Sequence, residues 1–182
     1  MYNNSMNSQV IYSLECLSDS LIKLLKNDSV SNITITRLCN VSGISRRTFY
    51  RNCESLIDLI SYKIDKLVYC LLLTDSNVND NRVHFLNFFN YCYNHKQFLM
   101  ILKKEYLFSL FIERFQLQFN NKSYLLLEQV SNKNKDIKNL KIYFNSYIVG
   151  RLSSLLECWV ENDFEEPINN LIEIACSLIP NP

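Results

Sequence analysis

The side chains best suited to grip an anion are concentrated in one stretch of this sequence. Between Asp28 and Glu54 stand four arginines, Arg37, Arg46, Arg47 and Arg51, and no carboxylate, in a chain whose formal charge is only +1. A guanidinium is a planar fork of donors that matches phosphate oxygens or the O6/N7 edge of guanine. Thr34, Thr36, Ser45, Thr48 and Tyr50 interleave hydroxyls of the kind that fix a helix on a sugar–phosphate backbone. Together these nine residues are the candidate contact set for double-stranded DNA. With no acidic side chain among them, nothing in the stretch repels phosphate.

Such side chains act only if short, well-placed elements present them. Thr34 stands where an N-cap belongs, opening a helix expected to end near Asn40. Gly43 can adopt the positive φ that a tight turn requires, and Ser45 caps a second short helix through about Arg51. Cys39, four positions before Gly43, is small enough to let the two helices cross closely, with Leu38, Ile44 and Phe49 packing inward. This is helix-turn-helix spacing. A helix from about Asn7 to Asn27 precedes it, with Val10, Leu14, Leu17, Leu21 and Leu24 on one face. Another follows from Glu54 or Ser55, carrying Leu56, Leu59, Ile60, Ile64, Leu67 and Leu71, and is expected to link the two halves of the chain.

The segment ITITRLCNVSGISRRTFYRN, with the amphipathic helix before it and ESLIDLI after it, resembles the N-terminal domain of the TetR (tetracycline-repressor-like) transcriptional regulators. Thr34, Ser42, Gly43, Ile44, Ser45, Thr48, Phe49 and Tyr50 match the family's pattern of capping Thr, small-residue-then-Gly turn and Thr-apolar-Tyr recognition helix. Asn52 and Cys53 stand where the family often has His-Phe, and Leu56 where it often has a phosphate-touching Lys. The resemblance implies a helix-turn-helix DNA-binding domain over residues 1–53 and a helical effector-binding and dimerisation domain over 54–182. It implies a ligand-responsive repressor acting as a homodimer on a palindromic operator. The alternative is a helical protein-interaction module of the same fold that has lost DNA binding.

Two glycines and three prolines in 182 residues leave too little turn chemistry for strands, so the fold class expected is all-α, with about nine helices. Beyond a polar break at Thr74–Asn81, helices are expected near 82–94, 96–103 and 104–129, and beyond a second break at Ser131–Lys135, near 136–162 and 164–179. From Leu152 onward there are six carboxylates and no Lys or Arg, so that end should keep off DNA. Ser146, Gly150 and Ser154 recur every four residues, a shallow stripe where another backbone can approach. With Leu155, Trp159, Leu171 and Ile172 they are the expected homodimer interface. Among the aromatics, Phe88, Tyr91, Phe108, Phe111, Phe115, Tyr143 and Tyr147 are candidate contacts for a small apolar or aromatic effector, although rings at helical spacing fill cores more often than they line cavities.

Other function classes find little support. The seven cysteines form no CxxC pair, and His84 and His95 have no partner at ligand spacing, so neither a metal nor a cofactor is expected. No Ser/His/Asp or Cys/His set and no glycine-rich phosphate loop appears, so the chain is not expected to be an enzyme. The longest apolar run, Leu67–Leu73, is seven residues, against about 20 for a membrane span. The beginning MYNNSMNSQV lacks the basic-then-apolar order of an export signal, and a cytoplasmic location is expected.

Overall fold

The computed structural model describes residues 8–73, 81–130 and 135–177, and every regular element among them is helical. In chain order these are α1 (Ser8–Leu25), α2 (Ile35–Ser42), α3 (Arg46–Asn52), α4 (Leu56–Leu73), α5 (Asn81–Asn94), α6 (Lys96–Lys104), α7 (Phe108–Val130), α8 (Lys135–Glu161) and α9 (Ile168–Ser177), with a 3-10 turn at Val30–Asn32 after α1. The all-α expectation therefore holds. The two polar breaks lie mainly outside the described residues. The chain divides into two compact units, Met1–Lys66 and Leu67–Pro182, and α4 contributes to both.

In the first unit α1 packs on α2 and α3, because its apolar spacing gives it one continuous buried face. Leu17, Leu21, Leu25, Leu38, Phe49, Leu59 and Ile60 are sealed from solvent. Leu25, not Leu24, ends that face, and Ser13, Ser18 and Ser20 are buried beside it. On the opposite flank the Glu15 carboxylate accepts from Tyr62 Oη and from Lys66 Nζ, each at 2.6 Å, and Lys63 reaches Asp19 at 2.5 Å. These pairs lock α1 to the middle of α4, whose start lies at Leu56. That start is itself capped: the Asp58 carboxylate accepts from the backbone N–H groups of Glu54 and Ser55, while Ser55 Oγ accepts from the N–H of Asp58.

In the second unit α5 packs on α9, α7 on α8, and α6 on α7 and α8. Its core is aromatic: Phe89, Phe111, Phe115 and Trp159 are almost wholly buried. Two helix boundaries differ from expectation. The expected helix over 104–129 is interrupted by Tyr106, whose φ of 58° turns the backbone left-handed, so α6 closes at Lys104 and α7 opens at Phe108. The N–H of Leu107 donates to Leu102 O at 2.8 Å, which closes the end of α6. Likewise Asp163 and Phe164, with φ of 53° and 61°, end α8, so the last helix starts at Ile168 behind Pro167 and not near residue 164. Lys103 Nζ adds donors to the last carbonyls there, reaching Val160 O at 3.2 Å, which also accepts from the N–H of Asp163, and Glu161 O at 3.0 Å.

Candidate nucleic-acid interface

The helix-turn-helix is assembled by local chemistry. Thr34 Oγ1 accepts from the N–H of Arg37 at 3.1 Å, and Ser45 Oγ from the N–H of Thr48 at 3.1 Å, so both short helices carry N-caps. Gly43 sits at φ 71°, ψ 8°, the left-handed conformation expected of it. Ser42 bridges the turn, its hydroxyl donating to Cys39 O and accepting from the N–H of Ile44, each at 3.3 Å. Leu38, Cys39 and Phe49 are buried, and Ile44 is half-buried. Burial raises the Cys39 thiol above its ordinary range.

With one side of α3 occupied by Phe49, the other is left to solvent. Arg46, Arg47, Tyr50 and Arg51 are exposed, as are Thr34, Thr36, Arg37 and Ser45, while Thr48 is half-buried with its hydroxyl 2.9 Å from that of Ser45. The nine candidate residues thus flank one turn. Among the described residues no carboxylate pairs with Arg46, Arg47 or Arg51. Arg37 is different: its guanidinium is ion-paired with Asp28, the acid that borders the basic stretch. That hydrogen bond is the main reason the Asp28 carboxyl is held below its usual range. The two residues meet across the 3-10 turn, a proximity their separation in sequence does not advertise.

A cleft of about 590 Å³ runs between the beginning of α1 and this turn, with Gln9, Tyr12, Ser45, Thr48 and Arg51 among its walls. Gln9 and Tyr12 are not among the sequence-derived candidates. Their only signal is that they are polar side chains on the exposed side of an amphipathic helix. Of the positions that depart from the TetR pattern, Cys53 and Leu56 are buried and Asn52 donates its side-chain amide to Thr48 O at 3.0 Å.

In the second unit the structure redistributes the expected residues. Phe88, Phe108, Phe111 and Phe115 are buried in an aromatic cluster, Phe88 lying 5.7 Å from Phe115 and Phe108 5.5 Å from Phe111 between ring centroids, so they fill core. Tyr91 is half-buried, its hydroxyl donating to Leu67 O at 3.2 Å, and burial pushes its pKa up to about 12. Tyr143 is exposed. Of the seven candidate ligand contacts, Tyr147 alone lines an apolar groove of about 550 Å³ among α5, α8 and α9.

The stripe expected to meet a second copy lines that same groove: Ser146, Gly150, Ser154 and Leu155 form part of its wall. Trp159, Leu171 and Ile172 do not. They are 2%, 4% and 2% exposed and pack in the chain's own core. Trp159 Nε1 donates to Glu166 O at 2.9 Å, and its ring packs against Phe89 and Phe164.

His95 Nδ1 lies 2.9 Å from Tyr91 O, at the end of α5, and so serves as a cap. The cysteines are free thiols, and Cys158, unlike the buried Cys39, Cys53 and Cys92, is exposed. Among the described residues no cluster of potential ligands for a metal occurs, and no helix is long and apolar enough to cross a membrane.

Comparison with known proteins agrees with this architecture. The sequence pattern of a TetR-type family described as "transcriptional regulator C-terminal region" matches residues 82–181, more than half of the 182 residues. The fold is similar to that of a solved structure described as fatty acid degradation regulator FadR from Bacillus halodurans, with a TM-score of 0.52 and 13% identity over 96% of each chain. No curated protein sequence matches the chain. With its C-terminal half matched by that pattern and its helical architecture shared with a known regulator, the chain belongs to the TetR-like family of transcriptional regulators.

Proposed function

We propose that this regulator binds double-stranded DNA through α3, as a homodimer that reads a palindromic operator and represses transcription until a small apolar effector binds its second unit. The observation that carries this reading is the display of Arg46, Arg47 and Arg51, unpaired by carboxylates among the described residues, on a capped helix that follows a left-handed glycine. A helix of 7 residues is short enough to lie with its outward side chains in a major groove. One such helix covers too few base pairs to be selective in a genome, and two-fold pairing of half-sites about 34 Å apart is the usual remedy. An effector acts by favouring one of two spacings of the paired recognition helices, and shifts DNA affinity only by its differential affinity for the two states.

Selection of bound sequences from random duplexes tests the reading. A palindromic consensus with half-sites one helical turn apart is expected. Recovery of no enriched sequence would favour the alternative, a protein-interaction module that kept the fold.

A further inference from the structure

The cleft of about 590 Å³ between the beginning of α1 and the turn at Gly43 has two unlike walls. On the turn side, Arg51 is exposed, and no carboxylate pairs with it among the described residues. Ser45 and Thr48 stand beside it, but their hydroxyls are 2.9 Å apart and Ser45 Oγ already accepts from the N–H of Thr48 at 3.1 Å. One of their two hydroxyl protons is spent on that mutual bond, so the pair spares a single donor. On the other wall α1 offers Gln9 and Tyr12, both exposed, Tyr12 at 67%. A ring so exposed gains little from burial, and its protonated hydroxyl is a donor at neutral pH. No acidic residue is among the described walls. The acids of α1 are engaged on its other flank, Glu15 by Tyr62 and Lys66, and Asp19 by Lys63. Because α1 packs on α3, with Leu17, Leu21 and Phe49 sealed from solvent, the two walls are held at a fixed separation.

We infer that one DNA phosphate seats in this cleft, held by Arg51 of the recognition helix and by the Tyr12 hydroxyl and Gln9 amide of α1. The first helix is then a second jaw that grips backbone and reads no sequence. This rests on the reading of α3 as the DNA-binding helix and deepens it, by naming a contact outside the helix-turn-helix. A phosphodiester presents two charged oxygens, each able to accept more than one hydrogen bond. The guanidinium supplies the charge, and neutral donors from the facing wall complete the shell. Salt separates the two kinds of donor. Removing a cation changes the number of counterions released on binding, whereas removing a neutral donor does not. Arg51 thus sets part of the salt slope, while Tyr12 and Gln9 set affinity equally at every salt concentration.

The test is fluorescence-anisotropy titration of the full chain against a duplex selected by the parent, repeated across salt concentrations. Gln9→Ala with Tyr12→Phe should weaken binding about five- to tenfold, with the log–log salt slope, the selected consensus and the melting temperature unchanged. Arg51→Ala should flatten the slope by about 0.9. In the Arg51→Ala background the α1 changes should cost less than about twofold, because the phosphate they share is no longer held. A methylphosphonate walked along the duplex should mark one backbone position per half-site at which the parent weakens and the α1 variant weakens no further. Unaltered affinity in the α1 variant, losses that add fully to those of Arg51→Ala, or a changed consensus would overturn the inference. The two readings fail separately. Loss of binding on Arg46→Ala with Arg47→Ala, beside indifference to Gln9 and Tyr12, would remove this contact and keep α3 as the recognition helix. A parent chain that selects and binds no duplex would overturn both.

Discussion

Gly43 bends the chain between α2 and α3 at a φ of 71°, and the space around its α-carbon is open. An alanine there meets no steric neighbour, yet it must adopt a left-handed backbone at a cost of about 1–2 kcal/mol. Gly43→Ala should therefore lower unfolding free energy by that amount in denaturant melts and weaken duplex binding with it. The Arg37–Asp28 pair makes a second, independent prediction. Asp28→Asn releases Arg37 to phosphate, and the slope of log affinity against log salt should steepen by about 0.9 for each phosphate newly neutralised. Thr34, Gly43 and Ser45 were legible in the sequence because each acts on backbone within three residues. Asp28 was not, since only the folded 3-10 turn brings it to Arg37.

The helices α1 and α4 are joined by charge as well as by leucine. Burial raises the affinity of the Glu15 carboxyl for a proton, but the hydrogen bonds from Lys66 and Tyr62 outweigh it and hold the group below its ordinary value of 4.5. A carboxylate whose pKa is depressed on folding stabilises the fold above its unfolded value, and that stability is lost as pH falls through the folded one. Glu15→Gln should thus destabilise the chain by about 0.5–1 kcal/mol at neutral pH, the partners being partly exposed and screened. The gap between parent and variant should vanish under acid below the carboxylate range, as thermal melts across pH would show. The long periodic helices were legible as elements; two of their ends were not. A chain with two glycines makes left-handed closures from Tyr106, Asp163 and Phe164, where the sequence offers no glycine to mark the end of a helix. Tyr106 is 93% exposed, so Tyr106→Gly forfeits little packing, and relief of its backbone should raise stability by up to about 1 kcal/mol.

For the molecule as a whole, the division of labour follows from what each surface leaves unsatisfied. Among the described residues, Arg46, Arg47 and Arg51 are left without acids, and the small-residue stripe of α8 is left bordering an apolar groove. The first of these was legible, because charge and caps fall in one short stretch. The second was legible only in part: Ser146, Gly150 and Ser154 recur every four residues along α8, but aromatic composition pointed to Phe88, Phe108, Phe111 and Phe115, which packing placed in the core. The central claim remains that α3 meets DNA through its arginines. The measurement that tests it most directly is the salt dependence of binding to a selected duplex, for the parent chain and for the double variant Arg46→Ala, Arg47→Ala. The double change should flatten the log–log slope by about 0.9 for each phosphate no longer neutralised and reduce affinity more than about tenfold, with oligomeric state and melting temperature unchanged. An unaltered slope and affinity in a folded double variant would contradict it.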